Sequence, residues 1–116
     1  MKNKALFSVT IPTYNEERDL RDCLESILRQ NFPKEQYEVI IVDNYSTDKT
    51  IQIAKSFSKR INVRVIMNKI KDAEVSKKLG YDKSKGEFFM YLDADMRFSD
   101  ENFIRKMLFP FKDDKR

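Results

Sequence analysis

Four short apolar, β-branched runs alternate with four stretches of helical periodicity, and this alternation constrains the fold more than any other feature of the 116-residue chain. Leu6 to Pro12 reads as a buried strand. Leu20, Cys23, Leu24, Ile27 and Leu28 then recur at helical spacing until Asn31-Phe32-Pro33 closes the segment. Tyr37 to Val42 is a second strand, apolar on both faces from Val39 onward, as in a parallel sheet covered on both sides. Thr47 or Asp48 is placed to cap a helix whose Ile51, Ala54, Phe57 and Ile61 form one stripe. Val63 to Met67 predicts a third strand, Asp72 to Ser84 a helix with few apolar positions, and Phe88 to Leu92 a fourth strand. Ser99 is placed to cap a last helix through Phe103, Ile104, Met107 and Leu108, with Asp100 and Glu101 at its positive end.

Four βα pairs in succession require right-handed crossovers. The expectation is an α/β fold with a mostly parallel, Rossmann-like sheet flanked by helices, and one domain over residues 1–116, since no repeat or linker divides the chain. Ligands of such sheets bind beyond the carboxyl ends of the strands. The polar clusters fall on that rim: Pro12-Thr13-Tyr14-Asn15-Glu16 after the first strand, Asp43-Asn44 after the second and Asp93-Ala94-Asp95 after the fourth.

Composition narrows the chemistry at that rim. The chain has no His and one Cys, which excludes a Ser-His-Asp triad, a His-ligated metal and a thiolate zinc cluster. Any metal must sit on oxygen ligands, which favours Mg²⁺, Mn²⁺ or Ca²⁺. Neither Gly80 nor Gly86 lies in the first βα turn, so there is no dinucleotide fingerprint and no Walker A loop. The 23 Lys and Arg against 19 Asp and Glu are spread from Lys2 to Arg116 without a basic stripe, so no nucleic-acid partner is expected. No apolar run approaches the roughly 20 residues of a transmembrane helix, and the N-terminus does not resemble a signal peptide. With a lone Cys23, a cytoplasmic setting is expected.

Asp93 and Asp95 are the sharpest feature. If the chain turns at Ala94, both carboxylates face one cleft, and at about 5 Å they would repel by roughly 3 kcal/mol at an effective dielectric near 20. A divalent cation bridging them to a diphosphate would relieve this, although Asp after a strand also serves simply as a turn or cap residue. Asp43 has two readings as well, an acceptor for a nucleobase imide or a cap for the following helix. Asn44 reads as an Asx turn. Tyr14 offers a ring for a base or simply packs at the rim, and Lys77 and Lys78 reach a phosphate or stay solvated.

Taken together, FSVTIPTYNEERDLRDCLESILRQNFP, YEVIIVDNYSTDKT and GEFFMYLDADM resemble the start of family 2 glycosyltransferases, in order and at the usual separations. The resemblance implies a GT-A fold, a nucleotide-sugar donor and a Mg²⁺ or Mn²⁺ ion held through the DxD motif. It places Pro12, Thr13 and Tyr14 against the nucleoside, Glu16 in the donor site and Asp43 on the base. Asp93 and Asp95 would serve ribose, diphosphate and metal, with Asp95 the direct ligand. Lys77 stands where an Arg commonly faces the donor. Where the family reads VDDGSTD, this chain reads Val42-Asp43-Asn44-Tyr45-Ser46-Thr47-Asp48, without the second carboxylate or the glycine.

In that family the acceptor site and the catalytic base lie beyond the DxD strand. The expectation is therefore a donor-binding part of an inverting enzyme, with the acceptor unknown and the acceptor side absent or supplied by a second chain. Phe103, Phe109 and Phe111 would lack cover and favour a homo-oligomer. Asp113 and Asp114 are too close to the terminus to nominate as the base. The alternative is a receiver-like, Mg²⁺-binding signalling domain phosphorylated on Asp, with a toprim-like nucleic-acid enzyme more distant.

Overall fold

The run Tyr37–Asp43 is buried along its whole length, as a strand must be when it has neighbours on both edges and helices on both faces. It is the second strand, β2, of a computed structural model that describes residues 6–109. The other strands are β1 (Phe7–Thr13), β3 (Val63–Met67) and β4 (Phe88–Tyr91), and all pair in parallel in the order β3-β2-β1-β4. The helices are α1 (Leu20–Leu28), α2 (Thr50–Ser56), α3 (Ala73–Lys83) and α4 (Phe103–Leu108). The chain steps outward from β1 to β3, then returns through α3 to lay β4 on the other side of β1. That reversal opens a crevice between the carboxyl ends of β1 and β4. It also removes the receiver alternative, whose sheets run 2-1-3-4-5.

The two faces of the sheet differ. Phe7, Val9 and Ile11 of β1 and Tyr37, Val39 and Ile41 of β2 join Leu20, Cys23, Leu24 and Ile27 of α1 and Ile53, Ala54 and Phe57 around α2 in the core. Each large apolar side chain buried there contributes roughly 1.5–3 kcal/mol. The alternate residues Ser8, Thr10 and Glu38 are buried but polar. Glu38 accepts from Ser8 Oγ at 2.7 Å and from the Lys85 N–H at 2.6 Å, and pairs with Arg64 at 3.1 Å. Helix α3 covers β1 and β2 through small residues: Ser76 and Gly80 are its buried positions, and a Cβ at Gly80 would overlap the Thr10 side chain. This accounts for the few apolar positions in its sequence.

Some boundaries differ from the sequence expectation. Helix α2 begins at Thr50, not near Thr47, because Asp48 Oδ1 takes the Thr50 N–H at 2.9 Å. Helix α4 begins at Phe103, and Ser99 does not cap it. Asp100 accepts the Asn102 N–H at 2.9 Å, and Gln30 Oε1 accepts the Ile104 N–H at 3.0 Å. Phe103 is not left uncovered: it stacks on Phe98 at 4.7 Å between centroids, and both Phe103 and Phe109 lie against the core. Phe111, Asp113 and Asp114 fall outside the described residues. Among the described residues no helix is long and apolar enough to cross a membrane.

Candidate functional site

The loops that follow β1 and β2 are laced together by hydrogen bonds. Asn15 sits in the left-handed region at φ 52°, which Asn tolerates better than most residues. Its side-chain carbonyl accepts the N–H groups of Thr47 at 2.8 Å and Asp48 at 3.3 Å, and its own N–H donates to Ser46 Oγ at 2.8 Å. The Glu16 N–H donates to Thr50 Oγ1 at 2.7 Å. Tyr14 and Glu16 are thereby fixed on either side of a pinned residue.

Beneath these loops Asp43 is fully buried. Its carboxylate accepts from Thr13 Oγ1 at 2.6 Å, from the Ser46 N–H at 2.7 Å and from Ser46 Oγ at 2.7 Å. A carboxylate has about four acceptor positions, so about one remains. Asp43 thus organises its own loop. Asn44 donates from Nδ2 to the carbonyls of Asn68 at 2.8 Å and Ile70 at 3.2 Å. A carboxylate at that position would have no N–H to give, so the departure from the family pattern has a structural use. Tyr45 replaces the pattern's glycine at φ 58°, a conformation that costs a non-glycine residue roughly 1–2 kcal/mol.

Pro12, Thr13, Tyr14 and Glu16 line a cleft of about 310 Å³ together with Asn44, Lys71, Asp72, Ala73 and Ser76. Sequence reasoning placed the first four there and missed Lys71, whose ammonium stands 4.1 Å above the centre of the Tyr14 ring. Lys71 lies in a loop with no periodicity to mark it. Lys77 is not among the lining residues. Its ammonium lies 3.7 Å from Glu74 and 5.3 Å from the centre of the Tyr91 ring.

Asp93 and Asp95 follow β4 on either side of Ala94, which is buried. Anchoring Ala94 in the core while the Asp93 backbone carbonyl accepts the Met96 N–H at 3.0 Å leaves both carboxylates exposed at the rim. Neither pairs with a cation among the described residues. Their charge is felt nearby. The Glu16 carboxyl is held above its ordinary range, first by burial and then by Asp95, Asp19, Asp48 and Asp93. The Cys23 thiol is pushed up to about 12 by burial, with Asp95 and Glu16 adding to the effect. Asp95 also lines a smaller hollow of about 170 Å³ with Asp19, Asp22, Cys23, Met96 and Arg97. An all-oxygen donor set in a net negative field, with Arg97 engaged by Asp22, fits a hard divalent cation that shares its coordination with water and phosphate oxygens. Among the described residues no three acidic or Cys side chains converge to hold such an ion unaided.

A parallel 3-2-1-4 sheet with a cleft at the carboxyl ends of β1 and β2, under the start of α3, is a doubly wound α/β arrangement of the kind that binds ligands beyond its strand ends; Asp93 and Asp95 lie at the same rim but do not line this cleft. Residues 8–116 match glycosyl transferase family 2, and the chain belongs to that family. Over 91 residues it is 35% identical to the poly(ribitol-phosphate) beta-N-acetylglucosaminyltransferase TarS of Staphylococcus aureus, covering 77% of this chain and 16% of TarS. The structure of S. aureus TarS 1-349 in complex with UDP superposes with a TM-score of 0.84 at 29% identity, covering 94% of this chain and 32% of that one. A mannosyltransferase from Pyrobaculum calidifontis, in complex with GDP-Man and Mn²⁺, superposes with a TM-score of 0.83 at 21% identity. It covers 90% of this chain and 32% of its own, and at that identity the likeness is one of fold. The sheet is thus the Rossmann-like part of a GT-A fold, and the chain spans a third or less of these relatives.

Proposed function

We propose that the chain forms the donor site of an inverting glycosyltransferase, binding a nucleoside diphosphate sugar with Mg²⁺ or Mn²⁺. The observation that supports this reading is the cleft of Pro12, Thr13, Tyr14 and Glu16 at the carboxyl ends of β1 and β2, on the same rim as Asp93 and Asp95, whose charge reaches Glu16. Pro12, Thr13 and Tyr14 lie against the nucleoside, Tyr14 by the part of its ring that Lys71 does not cover. Asp43, buried beneath the cleft, supports the base-binding loop through Thr13 and Ser46 and meets the base itself only if that loop opens. Glu16 forms the wall facing the diphosphate. Asp93 serves the ribose and diphosphate, and Asp95 ligates the cation, which when bound supplies charge neutralisation for the leaving diphosphate. Lys77 reaches this site only by leaving Glu74, so the cation in place is Lys71. Transfer also needs a base facing the acceptor hydroxyl, and no described residue is assigned that role.

Thermal melting with UDP or GDP, with and without Mn²⁺, tests the reading. Ligand at about 100 times its dissociation constant stabilises by about 2.7 kcal/mol, which raises melting by several degrees in a chain of this size. No shift with either nucleotide in the presence of metal, or a shift unchanged in Asp95→Ala, refutes it.

A further inference from the structure

Resting on that donor-site reading, we propose that Asn44 is a positioning residue that holds Lys71 in place as the cation the nucleotide diphosphate meets. The charged groups lining the cleft are Glu16, Asp72 and Lys71, and Asp48, Asp93 and Asp95 add negative charge close to Glu16. A diphosphate entering such a field needs facing positive charge, and beside the divalent ion of the donor-site reading Lys71 is the one basic side chain among the lining residues.

Lys71 belongs to no helix or strand, yet the residues before and after it are tied down. Asn44 Nδ2 donates to the Asn68 and Ile70 carbonyls. The buried Asn68 amide donates to the Ile70 carbonyl at 2.8 Å and to Ser76 Oγ at 3.0 Å, and its Oδ1 accepts the Ile70 N–H at 3.0 Å. On the other side Asp72 caps α3 by accepting the Glu74 N–H at 2.8 Å. Lys71 therefore leaves the backbone between two pinned residues, and the Tyr14 ring gives its ammonium a resting place on the cleft wall. Asn44 supplies the two side-chain bonds between this loop and the end of β2, beside the backbone bond from the Asn68 N–H to the Asp43 carbonyl at 2.8 Å, and the Ile70 carbonyl also accepts the Asp72 N–H at 2.9 Å. An Asp at 44 would lose both donors and set its charge against two carbonyl oxygens.

The test is calorimetric titration of UDP and of GDP, in Mn²⁺, into wild type, Asn44→Asp, Lys71→Met, Lys71→Arg and the Asn44→Asp/Lys71→Met pair, with the unliganded melting temperature of each. Asn44→Asp and Lys71→Met should each weaken binding about fivefold, the scale of one exposed charge contact, and Lys71→Met should flatten the salt dependence of Kd. Lys71→Arg should retain that salt dependence. The pair should bind no worse than Lys71→Met alone, because both substitutions remove the same contact. Lys71 is exposed, so Lys71→Met keeps the test valid even if Asn44→Asp lowers the melting point. Binding that is unchanged in Lys71→Met, or losses that multiply in the pair, overturns the proposal while leaving the donor site standing. If wild type binds neither nucleotide, the donor-site reading falls and takes this proposal with it.

Discussion

Replacing Asp43 shows how far one buried carboxylate organises the site. In Asp43→Ala three donors lose their acceptor: Thr13 Oγ1, the Ser46 N–H and Ser46 Oγ. Bonds to a charged group contribute about 1.5–3 kcal/mol each, but Ser46 is only partly buried and regains water, while Thr13 at 3% exposure does not. The net loss works out at about 3–4 kcal/mol, which at roughly 4 °C per kcal/mol lowers melting by about 14 °C. In Asp43→Asn the remaining carbonyl keeps the two hydroxyls, but the new amide N–H₂ faces the Ser46 N–H, a donor against a donor. About 2 kcal/mol, or about 8 °C, should be lost. Thr13→Val removes a single bond and should cost about 1 kcal/mol. Calorimetric melting of the three variants near neutral pH gives the order directly. If Asp43→Asn melts within about 2 °C of wild type, the carboxylate is not holding the loop and the reasoning fails.

Three further outcomes follow from particular positions. Tyr45→Gly relieves the left-handed backbone at φ 58° and should raise stability by about 1 kcal/mol in a denaturant titration, whereas a loss would show that the half-exposed tyrosine ring holds the loop. Gly80→Ala drives a Cβ into Thr10 and should cost about 1–3 kcal/mol despite the better helix propensity of alanine, and a stabilised variant would contradict the close α3–β1 packing. The raised Glu16 carboxyl binds its proton more tightly when folded, so its contribution to stability is full below the unfolded pKa and is lost as pH rises through the folded one. Glu16→Gln should therefore melt with wild type near pH 3.5 and above it near pH 7, and the reverse order would refute the sign.

The strands were legible because β1 and β2 must be apolar to lie in the sheet's interior, and the rim clusters were legible because topology alone assigns the carboxyl ends to ligands. Tyr14, Glu16, Asp93 and Asp95 are found at that rim for the same reason. What stayed hidden depends on tertiary contacts without a sequence period. The polar face of Ser8, Thr10 and Glu38 made α3 read as weakly amphipathic, when its packing rests on Ser76 and Gly80. Lys71 could not be preferred over Lys77 because its loop is held by contacts distant in sequence, from Asp43, Asn44 and Ser76. Asp43 carried two readings, base acceptor and helix cap, and the three bonds it accepts within its own loop have no sequence period to mark them.

Amide chemical-shift mapping of a UDP titration in Mg²⁺ locates the nucleotide on the fold. Binding at the switch point should perturb residues 12–16, 43–46, 70–76 and 93–96. Perturbations centred at the opposite rim, around Gln30 to Lys34 and Lys85, or none at saturating UDP and GDP, would contradict the donor-site reading.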